Sequence, residues 1–314
     1  MKKIFKALLV LLLISGCASQ NSEGEANNDV SSNDVVVEGY NILVPSGAPA
    51  LAVVNDIVNS EINTYTITSG ADLLTTELAK SDSEYDIIVA PINAGSKLIS
   101  LGKSEYKLAS VLTWGNLYLV GTEDASETDA ISAFGEAAVP GMVFKNLHSK
   151  LNMSNEVTYY SAVTEAQAAL LGGKTKLALL AEPAVTATIA KAKQSGINLA
   201  VKKDLQKLWE EAYGSYGYPQ AAIFVKNSVY EANPASVNHY LDTISKYISD
   251  ADMTLFEASV DAKLEEIGVP SAKVAVNSYE RQNIEYKKAI DVKENIDNFL
   301  EVFNINLSEE GYIK

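Results

Sequence analysis

The stretch Tyr40-Asn41-Ile42-Leu43-Val44, followed by Pro45-Ser46-Gly47-Ala48-Pro49 and then by Ala50 to Ser60, decides the fold class. A run of strand formers, a turn of small residues and a helix with proline in its first turn make one strand, loop and helix unit. The unit recurs twice. Thr64 to Thr68 is a second strand, after which Ser69-Gly70-Ala71-Asp72 opens a helix through Lys80. Asp86 to Ala90 is a third strand, Pro91-Ile92-Asn93-Ala94-Gly95 its loop, and Ser96 to Leu101 its helix. Apolar strands alternating with amphipathic helices predict an α/β protein, a parallel or mixed sheet covered by helices.

Three successive strand ends therefore carry small or polar residues: Ser46, Gly47 and Ala48, then Ser69 and Gly70, then Asn93 and Ala94. Helix starts leave backbone N–H groups unpaired, and open α/β sheets bind ligands outside the carboxyl ends of their strands. Any one of these loops is also ordinary turn and cap chemistry; their repetition points to a site.

Working outward, Lys107 to Gly121 reads as two strands interrupted by Thr113-Trp114-Gly115-Asn116, where the chain is expected to leave a first lobe, residues 39–115. A second lobe, 116–222, is expected to hold a helix near Ala130 to Ala137, the segment Val139 to Lys150, a strand at Glu156 to Tyr160 and a helix at Thr164 to Leu171, capped through Ser161 to Glu165. A strand at Lys176 to Leu180, a helix from Pro183 to Lys193 and a strand at Asn198 to Val201 complete it. Gly217 to Val225 returns the chain, and 223–314 is read as first-lobe material that is largely helical.

Toward the N-terminus, Met1-Lys2-Lys3-Ile4-Phe5-Lys6, an apolar run to Ile14 and Ser15-Gly16-Cys17 resemble a bacterial lipoprotein signal. The lysines suit the cytoplasmic side, and the apolar run is short for a membrane span. A transmembrane anchor is the alternative; either leaves the rest facing outward. The resemblance implies that residues 1–17 are the signal, that Cys17 carries lipid and that the membrane is reached only through it. Cys17 is the only cysteine, so the mature body has no disulfide and no thiol for metal or catalysis. Residues 18–38, rich in Ser, Asn, Asp, Glu and Gly, read as a flexible tether.

The 25 basic and 40 acidic residues leave a net charge of -15. Nucleic acid is excluded as a partner by that charge and by the lack of a clustered basic patch.

The order of motifs resembles the extracytoplasmic solute-binding proteins of ABC importers, in the family that includes thiamine-precursor, nitrate, sulfonate and taurine binders. The residues that carry it are Val44-Pro45-Ser46-Gly47-Ala48-Pro49, Asp86 to Pro91 with Asn93-Ala94, and Leu170-Leu171-Gly172-Gly173-Lys174 leading to Ala178-Leu179-Leu180-Ala181-Glu182-Pro183. The resemblance covers the mature body. It implies a two-lobed, type II periplasmic-binding-protein-like fold with the ligand cleft between lobes that close on a small solute. The implied partners are a permease and its ATPase, the implied state a monomer. No diagnostic ligand motif for nitrate, sulfonate or thiamine is present.

Candidate binding residues follow from what a closed site must supply in donors, acceptors and flat surfaces. Trp114 can stack on a planar ligand or seal the lobe junction as a core aromatic, and Asn116 and Asn93 can bond amide or ring edges. Tyr218, in the Tyr- and Gly-rich stretch before Pro219, can bring a ring to the cleft or belong to a surface loop. Glu182 at a strand end can meet a ligand amine or cap its helix. Near the C-terminus, Tyr279, Asn283 and Tyr286 are expected on one helix face, and Arg281 can bind a carboxylate or sulfonate with its planar fork or lie in solvent.

His148 and His239 are too far apart in sequence to suggest a metal pair, and neither a Gly-x-Ser-x-Gly elbow nor a phosphate loop is present. The expectation is a binding protein with no cofactor, metal or catalytic residue; the alternatives are a surface-tethered sensing module or an enzyme on the same fold.

Overall fold

In the computed structural model, which describes residues 36–314, the strands fall into two sheets. The chain builds β1 (Asn41–Pro45), β2 (Thr64–Thr68), β3 (Ile87–Pro91) and β4 (Tyr106–Trp114) in the first sheet. It then builds β5 (Leu117–Thr122), β6 (Ile131–Phe134), β7 (Val157–Tyr160), β8 (Leu177–Ala181) and β9 (Leu199–Asp204) in the second. β10 (Pro219–Lys226) and β11 (Ile284–Lys288) rejoin the first sheet. The spatial orders are β11-β4-β10-β3-β1-β2 and β7-β6-β8-β5-β9. The mixed α/β architecture predicted from the repeated units is thus present.

β1, β2 and β3 run parallel, so their carboxyl ends share one edge; β10 runs against both β3 and β4, which places the end of β4 on that same edge. In the second sheet β6, β7 and β8 are parallel and β5 runs against β8. Trp114 pairs with Pro219, and Leu117 pairs with Ala181. Both passages of the chain between the sheets, 115–116 and 205–218, therefore lie where strands of the two sheets end.

Strand alternation assigns the core. In the first sheet Leu43, Ile88, Leu108, Ala222 and Phe224 face one apolar cluster, while Ile42, Val44, Ile87, Val89, Ile223 and Val225 face another. Burial on both faces explains why these strands read as continuous apolar runs. The first of those clusters continues through Trp114, Trp209 and Tyr218 into Leu117, Leu119, Leu177 and Leu179 of the second sheet. One apolar core thus passes from sheet to sheet.

Several sequence expectations change. Residues 130–137 do not form a helix: Ile131–Phe134 is the buried strand β6, and a short apolar run has too few residues for periodicity to separate strand from helix. Asn93 and Ala94 are not in a loop but in the first turn of helix Ile92–Ser100, and the first helix starts at Ala48, breaking at Val53 into Ala48–Ala52 and Val54–Asn59. The C-terminal part contains β11, because Asn283 takes a left-handed conformation (φ 48) that stops the preceding 3-10 turn. Tyr279 and Tyr286 therefore do not share a helix face. The expected cap at 161–165 is present: the Glu165 carboxylate accepts from the N–H groups of Ser161 and Ala162 at 2.9 and 3.1 Å.

The strand that returns to the first sheet begins at Pro219, four residues before the expected boundary. The expected signal, Cys17 and tether residues 18–35 lie outside the described residues. The last three tether residues belong to the body, since Asn233 Nδ2 donates to the Val36 carbonyl and the Glu38 N–H donates to Ser236 Oγ. Among the described residues no helix is long and apolar enough to cross a membrane.

Candidate functional site

The ends of β5 and β8 meet through Asn116 and Glu182. Asn116 Nδ2 donates to the Glu182 carbonyl at 3.2 Å, and the Glu182 N–H donates to the Asn116 carbonyl at 3.0 Å. The Glu182 side chain has no exposed surface. Its carboxylate accepts from the Thr186 N–H at 3.0 Å, from Thr186 Oγ1 at 2.9 Å and from Arg281 Nε at 2.6 Å. Glu182 thus caps the helix Ala184–Gln194 and holds an arginine delivered from the segment before β11. Arg281 Nη2 donates to Thr186 Oγ1 at 2.6 Å, and 39% of the side chain remains exposed. Two of its five N–H groups are engaged, and the rest of the fork is free for a further acceptor.

Asn283 completes the cluster. Its side-chain Nδ2 donates to the Gly115 carbonyl and lies 3.4 Å from the Tyr118 hydroxyl, while its backbone carbonyl accepts from the Trp114 backbone N–H at 2.9 Å. Asparagine tolerates the left-handed backbone this requires. The Tyr118 hydroxyl donates to the Arg281 carbonyl at 2.7 Å. Of the candidate residues, Asn116, Glu182, Arg281 and Asn283 are therefore brought together at the passage between the sheets. Tyr118 and Thr186 join them, and nothing in their local sequence separated them from other strand and helix residues.

Burial raises the Tyr118 phenol above its ordinary value of 10.0, with the Asp204 charge adding to the shift. The unfolded phenol ionises first, so this contribution to stability is whole below about pH 10 and is lost as pH climbs toward the raised folded value. Stability is expected to fall above about pH 10, and Tyr118→Phe to make that fall shallower. Urea midpoints for both proteins between about pH 8 and pH 11 check this; parallel curves refute it.

The strand-end residues of the first sheet are more heavily used by the fold than expected. The Ser46 N–H donates to the Thr68 carbonyl at 2.9 Å and the Gly47 N–H to the Ile267 carbonyl at 2.8 Å, so neither is one of the unpaired N–H groups expected there. Gly47 sits at φ +84. Ala48 is buried, whereas Ser69 and Gly70 are exposed. Asn93 and Ala94 are half-buried, and Asn93 Oδ1 has no partner.

Trp114 follows the second of its two expectations, and Tyr218 neither of its own. Trp114 is 0% exposed, donates Nε1–H to the Glu285 carbonyl at 3.1 Å and meets Tyr216 edge to face, which makes it a sealing aromatic and leaves no face for stacking. Tyr218 is likewise fully buried, stacked on Phe299 and packed beside Trp209, and is neither a cleft ring nor a surface loop residue.

The second sheet adds a feature absent from the sequence reading. A shallow, open surface pocket of about 480 Å³ lies outside the carboxyl ends of β6 and β7, lined by Gly135, Glu136, Tyr159, Tyr160 and Ser161. These are the same kind of strand-end residues as in the first sheet; Gly135 and Glu136 were hidden because β6 reads as helix.

No protein-family model and no curated protein matches the chain by sequence. Solved structures do match in shape. An ABC transporter protein from Parabacteroides distasonis aligns over 88% of this chain and 98% of its own, with a TM-score of 0.73 and 22% identity. The periplasmic aliphatic sulphonate binding protein SsuA from Escherichia coli aligns over 88% and 92%, with a TM-score of 0.63 and 14% identity. The chain has the type II periplasmic binding protein fold. The periplasmic nitrate-binding protein NrtA from Synechocystis PCC 6803 shares that binding-protein fold, over 88% of this chain and 84% of its own at a TM-score of 0.57 and 12% identity. On a binding-protein fold, the cluster around Glu182 and Arg281 occupies the passage between the two sheets.

Proposed function

We propose that this protein is the solute-binding receptor of an ABC importer, held to the outer face of the membrane through lipid on Cys17. It captures a small molecule by closing two lobes, 39–115 with 223–314 and 116–222 adjusted to the strand ends above, and delivers it to a permease driven by an ATPase. It performs no chemistry. The observation that carries the reading is the convergence of Asn116, Glu182, Arg281 and Asn283 where both sheets end, on a fold shared with sulphonate- and nitrate-binding proteins. Ligand favours the closed state when both lobes contact it, and a permease can distinguish closed from open.

Arg281 supplies the ligand chemistry. Glu182 and Thr186 fix one edge of its guanidinium, so the free edge is already oriented for an oxyanion that offers two oxygens side by side, such as a carboxylate or sulfonate. Thermal unfolding of the protein against sulfonates, nitrate, pyrimidines and amino acids tests the reading. A true ligand at a hundredfold excess over its dissociation constant adds about 2.7 kcal/mol, and the gain is expected to vanish in Arg281→Ala. No response from any of the four classes counts against it.

A further inference from the structure

A second cavity, of about 470 Å³, opens at the opposite end of the second sheet, where β8 begins and β5 ends. Its volume falls among those of small-molecule sites. The floor is apolar, formed by Leu119 and Leu177 of β5 and β8 together with Met153 and Leu208. None of these residues takes part in the cluster at Glu182 and Arg281.

The rim is charged in an unusual way. β9 pairs Lys203 with Leu119 and Val201 with Val120, which leaves Lys202 as an extra residue, a β-bulge. Successive strand residues ordinarily point to opposite faces, but a bulge re-aims them, and both lysines border the cavity. Lys203 Nζ is taken by Glu127 Oε1 at 2.6 Å. Lys202 Nζ donates only to the Glu123 carbonyl, at 3.2 Å, and has no carboxylate partner among the described residues. Glu211, also on the lining, has no cationic partner among them. With Lys203 and Glu127 neutralising each other, one cation and one carboxylate remain over an apolar floor.

We propose that this cavity is a second ligand site, for an amphipathic zwitterion whose apolar body covers Leu119, Leu177 and Met153. Its anionic group meets Lys202 and its ammonium meets Glu211. Large apolar α-amino acids have this chemistry. A lone anion satisfies Lys202 but sits beside Glu211, and a lone amine does the reverse, so each is disfavoured against the zwitterion.

The test is a titration of the full chain, labelled at the methionine methyl groups, with L-norleucine and L-phenylalanine, and in parallel with hexanoate and hexylamine. Of Met1, Met142, Met153 and Met253, the Met153 signal is expected to move saturably with the amino acids. Binding of hexanoate and hexylamine is expected to be about tenfold weaker or less, as is amino-acid binding to Lys202→Glu. Leu208→Trp, which fills the floor and keeps the Met153 reporter, is expected to abolish the response, and Lys202→Glu, at the half-exposed rim, leaves the core intact. A Met153 signal that none of the amino acids moves overturns the proposal. So does one that hexanoate or hexylamine moves as readily, or one that Lys202→Glu leaves unaltered.

Discussion

Replacing Arg281 with alanine is expected to destabilise the body by about 2–3 kcal/mol, because it strips the cation from a carboxylate that has no exposed surface. Thr186 continues to donate its N–H and hydroxyl to Glu182, which keeps the loss below that of a wholly orphaned charge. The exposure of Arg281 lowers it further, since water screens part of the attraction in the native protein. The melting temperature should drop by roughly 3–5 °C for a body of this size. Glu182→Gln removes the charge that needs the arginine, so the double variant is expected to lose less than the two single losses combined. Additive losses across that cycle, or an unchanged melting temperature in Arg281→Ala, show that the pair contributes nothing. The same variant separates stability from binding: a receptor that uses the free guanidinium edge loses its ligand response even at temperatures where the variant is fully folded.

The second large effect is expected at Gly115. A Cβ there lies 2.1 Å from Tyr218 Cζ and 2.5 Å from Gln206 Oε1, well inside contact distance. The tyrosine ring has no space to retreat, being held between Trp209 and Phe299, and the Gly115 N–H is bonded to the Tyr218 carbonyl at 2.9 Å. Gly115→Ala must therefore displace either the ring or the backbone passage between the sheets, at about 3 kcal/mol, toward the upper end of overpacking losses. Gly173→Ala is the control. Its added Cβ meets nothing within 4 Å, and only its positive φ of 68 is strained, which limits that loss to about 1 kcal/mol. Urea denaturation of the two variants measures the difference. Equal losses refute the packing account, and because Gly115 adjoins Asn116, ligand affinity is expected to change along with stability.

The first three strands and their parallel order were legible, the first and third because a strand buried on both faces must be apolar throughout and must end in turn-forming residues. Residues 42–44 and 87–90 meet both conditions, whereas Thr64–Thr68, an edge strand with no fully buried residue, was legible from its β-branched and aromatic residues. The strand at Ile131–Phe134 was not legible, since a four-residue run this short satisfies a helix pattern equally well. The C-terminal segment misled for a related reason: Tyr279, Asn283 and Tyr286 have helical spacing, but the left-handed backbone of Asn283 breaks the path between them. At the site, residue type made Glu182 and Arg281 candidates one at a time, the glutamate for its strand end and the arginine for its fork.

The sequence by itself determined the α/β class, the alternation that divides each sheet into two apolar faces, the helix cap at Glu165 and the chemical repertoire of the site. These depend on neighbours within a few residues, where backbone geometry alone sets which side chains share a face. Only the tertiary structure decided that residues 99 apart form one ion pair, that Trp114 and Tyr218 are sealed inside, and that a bulge turns Lys202 toward a cavity. Those outcomes rest on how two sheets are joined through short passages, and no local pattern of residue types encodes which distant groups such a junction brings into contact.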